Sequence, residues 1–294
     1  MIATAEKIEW KRIDLRDREL FEKQILNEEG IAMFSFASMF LWREFYQTSY
    51  AVINGKIIAK GVSDDGECVI YFPRGLEYDV EETVSAIRNA YGKNVTLLPL
   101  TESTCDKIAE IFPESKKSVI DGKCEYVYNR DDLAYLAGKK YHAKRNHIAK
   151  FDKNYNAEFI KINKDNVDVL KDAAKYLFEL IEGSPENEYK AICDAIEHFE
   201  ELSLRGGVLT VDGKVVAYSI GSMINDDTAD IHFEKADRAY EGSYAKINHT
   251  LVLECFEDAK YINREEDLGI EGLRKAKLSY YPCHLNQMYS VELE

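Results

Sequence analysis

The stretch from Arg205 to Asp258 constrains the fold most. Asp212-Gly213 stands between two apolar runs, Val208–Val211 and Lys214–Met223. A tight two-residue turn needs positive φ at both central positions, which Asp-Gly supplies, so the two runs are expected to pair as a hairpin. The polar turn Asn225-Asp226-Asp227-Thr228 leads to a third strand at Ile231-His232-Phe233. Arg238-Ala239-Tyr240-Glu241-Gly242-Ser243 then opens into Tyr244–Asp258, where Ile247, Leu251, Val252 and Phe256 recur at helical spacing.

A strand, a loop holding Arg and Gly, and a helix with free N–H groups form a natural anion site. The loop resembles, in degenerate form, the Arg/Gln-x-x-Gly-x-Gly/Ala loop with which acetyltransferase-like (GNAT) folds hold an acyl carrier's pyrophosphate. An ordinary strand-to-helix connection explains the same residues, and both readings stay open.

The chain has 294 residues, enough for one large domain or two ordinary ones. It is 46% hydrophobic and 31% charged, the balance of a soluble globular protein. No apolar run approaches the roughly 20 residues that span a bilayer. The start, Met1-Ile2-Ala3-Thr4-Ala5-Glu6-Lys7, lacks the basic and apolar regions of a signal peptide. Cys68, Cys105, Cys124, Cys193, Cys255 and Cys283 are scattered without a Cys-x-x-Cys pair. That pattern points to reduced thiols in a cytoplasm, against a disulfide framework and against a thiolate zinc site. A net charge of −15 argues against broad nucleic-acid binding but leaves room for a local basic patch. The 19 tyrosines suit a cleft with amphipathic walls, or a core whose hydroxyls are satisfied.

Taken in order, Ile8–Ile13 reads as a strand, Asp17–Asn27 as a helix and the aromatic run Phe34–Tyr46 as a buried helix. Strands at Tyr50–Ile53 and Lys56–Lys60 flank Asn54-Gly55, and Cys68–Phe72 is a further strand. Asp79–Tyr91 is a helix stopped by Gly92, followed by a strand at Val95–Pro99, a helix at Ser103–Phe112 and a strand at Cys124–Tyr128. In the second half Asp165–Ile181 is helical, and Ser184-Pro185 starts another helix that ends at Gly206-Gly207. Two helices again precede a hairpin, a strand and a helix. The hairpins match residue by residue, Val52–Ala59 with Thr210–Ala217, which points to an internal duplication. The expected domains are 1–130 and 131–294, the second opening with a basic linker helix at about 139–154.

That linker, Lys139–Lys153, holds six Lys/Arg and two His against one Asp. Helical spacing spreads these charges around the circumference, with Ile148 and Phe151 as partial anchors. It reads either as a solvated linker helix or as a contact for phosphates, through Lys140, Lys144 and Arg145.

Three segments carry a more specific resemblance: Gly138–His147, Ile231–Glu254 and Tyr261–Pro282. The run Asn263-Arg264-Glu265-Glu266-Asp267-Leu268-Gly269, continued by Gly272-Leu273-Arg274-Lys275-Ala276-Lys277, is the most distinctive part. Over essentially its whole length the chain resembles soluble relatives of the phosphatidylglycerol lysyltransferase C-terminal domain. The resemblance implies an α/β (α+β) fold of two tandem acetyltransferase-like domains, each a mixed, mainly antiparallel sheet flanked by helices. It implies kinship with Fem-type transferases, which move an aminoacyl group from charged tRNA to an amine or hydroxyl. No transmembrane portion like that of the membrane-bound members is present, which weighs against lipid substrates. The implied donor is aminoacyl-tRNA, reached through the basic linker, or acyl-CoA, with no permanently bound cofactor and a small molecule or peptide as acceptor.

Acyl transfer needs a held donor, a neutral nucleophile and a stabilised oxyanion. In this reading Glu234, ending the central strand, is the candidate base, and Tyr280 or Tyr281 protonates the leaving group. Arg238, Gly242, Ser243, Tyr244 and Lys246 face the donor. Asn263, Glu266 and Asp267 receive the acceptor. His232 is expected on the same side of its strand as Glu234, or simply as a core histidine. Asn248 and His249 lie in the first turns of the next helix, and Glu271 with Lys275 makes an ordinary helical pair. The carboxylates show no metal-ligand spacing with His, so no metal is expected. A non-catalytic binding module that keeps the fold is the competing reading.

Overall fold

The computed structural model describes residues 8–293 except 26, 28, 54, 64–65, 73–78 and 93–94. The Met1–Lys7 reading and Asn54 of the first turn lie outside the described residues. In chain order the first elements are β1 (Lys11–Arg12), α1 (Arg18–Gln24), α2 (Phe36–Leu41), β2 (Ser49–Ile53), β3 (Lys56–Val62), β4 (Cys68–Tyr71), α3 (Val80–Tyr91), β5 (Val95–Leu100), α4 (Glu102–Ile111) and β6 (Lys116–Val119). Next come β7 (Glu125–Asn129), α5 (Arg130–Tyr135), α6 (His142–Asn154), β8 (Ala157–Lys161), α7 (Val167–Leu180) and α8 (Glu186–Glu197). Then follow β9 (Arg205–Val211), β10 (Lys214–Met223), β11 (Thr228–Ala236), α9 (Ser243–Cys255), β12 (Tyr261–Glu266), α10 (Glu271–Leu278), β13 (His284–Asn286) and β14 (Tyr289–Leu293).

These strands make two mixed sheets, ordered β1-β2-β3-β4-β5-β14-β6 and β13-β7-β12-β11-β10-β9-β8. Both use one plan. A hairpin (β2–β3, β9–β10) is followed by an antiparallel third strand (β4, β11) and then by a parallel fourth (β5, β12). A parallel neighbour requires a crossover, here α3 in one sheet and α9 in the other. The matched hairpins of the sequence therefore sit at equivalent places. Asp212 and Gly213 have φ of 49° and 77°, the positive values that a primed turn demands.

The chain divides into two compact units. The first holds the residues up to Glu125 with Glu266–Arg274 and Leu285–Glu294; the second holds Tyr126–Glu265 with Lys275–His284. Two late segments thus return to the first unit, where β14 pairs with both β5 and β6 and buries Val291 and Leu293. In the second unit α9 turns Ile247, Leu251 and Val252 inward, as their spacing predicts, onto Ala229, Ile231, Phe256 and Ile262 of one cluster and Leu209, Val216 and Ala236 of another. A fully buried side chain such as Phe256 contributes about 1.5–3 kcal/mol.

Several expectations are corrected. The aromatic run forms an α-helix only at Phe36–Leu41, where Ser35 caps the start through the Ser38 N–H at 3.1 Å, after a 3-10 turn at Ala32–Phe34. Ser184 does not cap α8; its hydroxyl donates to the Ile181 carbonyl at 2.9 Å and Pro185 takes the cap position. Gly206 and Gly207 belong to β9 rather than to a helix end. A Cβ on Gly207 would lie 2.0 Å from the Phe159 ring, so β8 requires glycine there. The strands β6, β8, β12 and β14 went unread because charged residues such as Lys116, Glu158 and Arg264 interrupt their apolar pattern. Among the described residues, no helix is long and apolar enough to cross a membrane.

Gly221 carries a testable consequence. A Cβ there would meet the Asp230 carbonyl oxygen at 2.2 Å, a backbone atom that cannot swing away. Gly221→Ala is expected to lower stability by about 1–3 kcal/mol, the usual range for overpacking. Urea unfolding measures it, and an unchanged midpoint refutes the constraint.

Candidate active site

The site forms where the β11–β12 ladder stops. These strands pair at Thr228–Tyr261, Ala229–Ile262 and Asp230–Asn263, and the ladder ends there. On the other side of β11, Ile220 faces Phe233 and Gly221 faces Ile231, so His232 is an extra residue without an opposite number. Such a bulge bends its strand and re-aims the side chains beside it. It also breaks the alternation that would set His232 and Glu234 on one side. Past the ladder, side chains rather than backbone bonds link β11 and β12.

Arg264 makes the main link. Its Nη2 donates to Glu234 Oε1 at 2.9 Å, and the two side chains are only 14% and 12% exposed. Asn248 of α9, itself buried, donates to Glu234 Oε2 at 3.1 Å. Arg264 also lies 5.0 Å from the Tyr280 ring centre and 6.0 Å from that of Tyr128. Lys144 of α6 reaches the same Tyr280 ring, its Nζ 3.7 Å from the centre. Two cations thus share one electron-rich ring, and one of them pairs with Glu234. The surroundings hold this group still. Tyr141 Oη donates to the Tyr280 carbonyl at 3.0 Å, Tyr128 Oη donates to the Lys277 carbonyl at 2.9 Å, and Lys277 Nζ donates to the Glu265 carbonyl at 3.0 Å.

This packing shifts the titrations. Burial pushes the Lys144 ammonium down to about 8; the neighbouring Arg264 pushes the same way and Glu234 opposes. Burial pushes the Tyr280 phenol up to about 12 against the pull of Arg264. Burial works against the charge on Arg264, yet Glu234 and the two tyrosines hold its pKa above the ordinary value. Chemically the group offers a fixed guanidinium and a phenol as donors toward developing negative charge, and an amine poised to exchange a proton near neutral pH.

The expected residues divide. Glu234 and Tyr280 meet through Arg264. Tyr281, with φ of 55°, is 47% exposed and sets its ring edge-on to Tyr141, 5.6 Å between centres. Tyr244 packs on the cluster around Ile247 and Ala236. Arg238 is exposed on the loop. Gly242, with φ of 95°, lets α6 approach so closely that a Cβ would lie 2.7 Å from the His147 carbonyl oxygen. Ser243 donates its hydroxyl to the Asp237 carbonyl at 2.8 Å and its N–H to the Tyr240 carbonyl at 3.0 Å, and Lys246 pairs with Asp152 at 2.8 Å. Asn263 is buried and accepts from the Glu265 N–H at 2.8 Å.

Glu266 and Asp267 bear on the first unit, where Glu266 pairs with Lys123 at 3.2 Å. Both Asp267 oxygens are engaged, by the Gly269 N–H at 2.9 Å and by Arg274 at 2.7 Å, which leaves the carboxylate little to offer an ammonium. Of the basic helix, Lys144 and Arg145 are partly turned to the fold, while Lys139, Lys140, Lys150 and Lys153 stay exposed. Arg145 donates to the Leu136 and Gly138 carbonyls, Lys140 pairs with Asp132 at 3.4 Å, and Lys144 lies on Tyr280. The residue that sequence reasoning missed is Arg264. A strand pattern at Tyr261–Glu266 would have aimed it, but three charges in a row hid that strand.

One more group gathers at the bulge. Asp230 and His232 of β11 and Glu265 of β12 bring one ligand atom each to within 4.8 Å of one another. Burial opposes a charge on His232, yet Asp230 and Glu265 lift its pKa to about 9.

Two outcomes follow. Arg264→Met leaves the Glu234 charge buried without its partner and is expected to lower stability by about 3–5 kcal/mol, which Glu234→Gln in the same chain largely restores. Denaturant unfolding of the cycle measures this, and additive losses count against the pair. Lys144 has a folded pKa below its unfolded one, so its contribution is present above the unfolded value of 10.5 and is lost as pH falls through about 8. Stability of the wild type relative to Lys144→Met should therefore rise from pH 8 to 10; a flat difference refutes a buried ammonium.

The chain is similar to several known proteins. Residues 25–292 match the family model described as phosphatidylglycerol lysyltransferase, C-terminal. A crystal structure of a conserved protein of unknown function from Bacteroides thetaiotaomicron is 34% identical, covers 98% of this chain and 100% of its own, and has a TM-score of 0.87. The structure of L-PGS from Bacillus licheniformis is 14% identical with a TM-score of 0.67, covering 96% and 93% of the two chains. That of FemX is 9% identical with a TM-score of 0.62, covering 98% of each, so both show a shared fold. An uncharacterised protein from Mycoplasmoides gallisepticum is 26% identical over 179 residues, 59% of this chain and 57% of that protein. The chain thus spans little more than half the length of this curated relative. On the match over most of its length, the chain belongs to the family of phosphatidylglycerol lysyltransferase C-terminal domains.

Proposed function

We propose that the second unit transfers an acyl or aminoacyl group to an amine or hydroxyl acceptor at the Arg264 cluster. The observation that carries this reading is the convergence of Glu234, Arg264, Tyr280 and Lys144 where the β11–β12 ladder opens. The acceptor attacks the donor carbonyl, and the oxyanion is met by the Arg264 guanidinium and the Tyr280 hydroxyl. The neutral form of Lys144, within reach because burial lowers its pKa to about 8, takes the proton that the acceptor loses. Collapse of the intermediate breaks the bond to the leaving oxygen or sulfur, and the proton passes to that atom. Glu234, with both oxygens engaged, serves to orient Arg264 more than as a free base.

An aminoacyl ester such as charged tRNA is the donor favoured over acyl-CoA. The α9 start, where a CoA pyrophosphate would be held, is pressed by α6 at Gly242, and its first N–H is already taken by Tyr240. The acceptor is a small molecule or peptide carrying an amine or hydroxyl.

Thermal-shift binding with bulk aminoacyl-tRNA, uncharged tRNA, CoA and acetyl-CoA in parallel tests the reading. A ligand at a hundredfold excess over Kd stabilises by about 2.7 kcal/mol. Charged tRNA is expected to raise Tm more than uncharged tRNA, and Lys144→Met to erase the difference. A shift with CoA lost in Arg238→Ala places the donor at the Arg238–Ser243 loop instead. No shift with any of them favours the binding-module reading.

A further inference from the structure

We propose that Asp230, His232 and Glu265 form a binding site for one divalent transition-metal ion, Zn²⁺ or Mn²⁺. The site is separate from the Arg264 cluster and stands whether or not that cluster transfers an acyl group.

The geometry carries this. His232 is the extra residue of the β11 bulge, and its side chain is 1% exposed. Its Nδ1 lies 3.0 Å from Asp230 Oδ2 and 3.9 Å from Glu265 Oε1. Two ligands held about 2.0–2.2 Å from one ion stand at most about 4.4 Å apart, so both spacings suit a common centre. Despite this close approach to Asp230, the buried Nδ1 makes no well-aligned hydrogen bond.

The far side of the ring is prepared as well. Ser222 Oγ lies 2.8 Å from His232 Nε2. With Nε2–H donating to Ser222, Nδ1 is left bare for a metal, the arrangement by which outer partners fix ligating histidines. Two carboxylates and a neutral imidazole carry −2, which a divalent cation offsets in this largely buried setting. One nitrogen with two carboxylate oxygens matches Zn²⁺ or Mn²⁺ better than thiophilic ions. Entry is from the Glu265 side, where that side chain is 24% exposed. The site would tie β11 to β12 just past the last ladder pair. Sequence spacing hides it, since Glu265 comes from a strand distant in the chain.

Chelator-stripped full-length protein titrated with Zn²⁺, Mn²⁺, Mg²⁺ and Ca²⁺ separately, by calorimetry and thermal shift, tests the proposal. Zn²⁺ or Mn²⁺ should bind with a stoichiometry of one and raise Tm. His232→Gln and Glu265→Gln should each remove that binding, and Ser222→Ala should weaken it about 10–100-fold. Circular dichroism checks that each variant folds, and Glu265→Gln, at the more open edge, keeps the test valid if His232→Gln does not. Binding retained in both variants but lost in a His142→Gln/His147→Gln chain assigns the ion to the α6 surface and overturns the proposal. So does a His232 ring that stays doubly protonated by ¹⁵N NMR with either ion present.

Discussion

Backbone pairing between β11 and β12 stops at Asp230–Asn263, and most of what distinguishes the second unit follows from that stop. Two parallel strands that keep their ladder leave no room between them. Here a bulge at His232 turns β11, and the strands proceed without shared backbone bonds. Side chains take over the link. The Glu234–Arg264 pair, shielded from water, is intolerant of losing one member. Its guanidinium brings Tyr280 and Tyr128 into register, and Tyr280 in turn holds Lys144.

The same packing explains the fate of the basic helix. As a string of letters, Lys139–Lys153 reads as a surface for polyanions. In the fold, α6 lies along the start of α9, close enough that only glycine fits at position 242. Once the helix is pressed there, Lys144 and Arg145 are carried inward, while Lys150 finds Glu241 at 2.6 Å. Two charges that seemed free to meet a ligand are thus used within the unit, while Lys139, Lys140, Lys150 and Lys153 stay exposed. What remains is a concentration of positive charge around one buried tyrosine in an acidic chain.

How much was legible depended on whether the signal was local. The two hairpins, the α9 face and the kinship of the halves were readable, because turn chemistry and side-chain period act over a few residues. Glu234 and Tyr280 were picked from their places at the end of a strand and in a distinctive run, and the structure brings both to Arg264. Arg264 was missed since β12 is short and half charged. Asp267 and Lys246 were read as available, and each is bound to a neighbour, Arg274 and Asp152. Nothing in sequence spacing tells a free carboxylate from a paired one.

By itself the sequence determined the hairpins, most of the long helices, the doubled strand plan and the family, all of which rest on short-range periodicity and on motif. Tertiary structure alone decided where the ladder ends, which charges face one another and how deeply they are buried. Those outcomes come from strands distant in the chain meeting side by side, and from the low polarity of what surrounds them, which changes the cost of a charge more than the identity of the residue does.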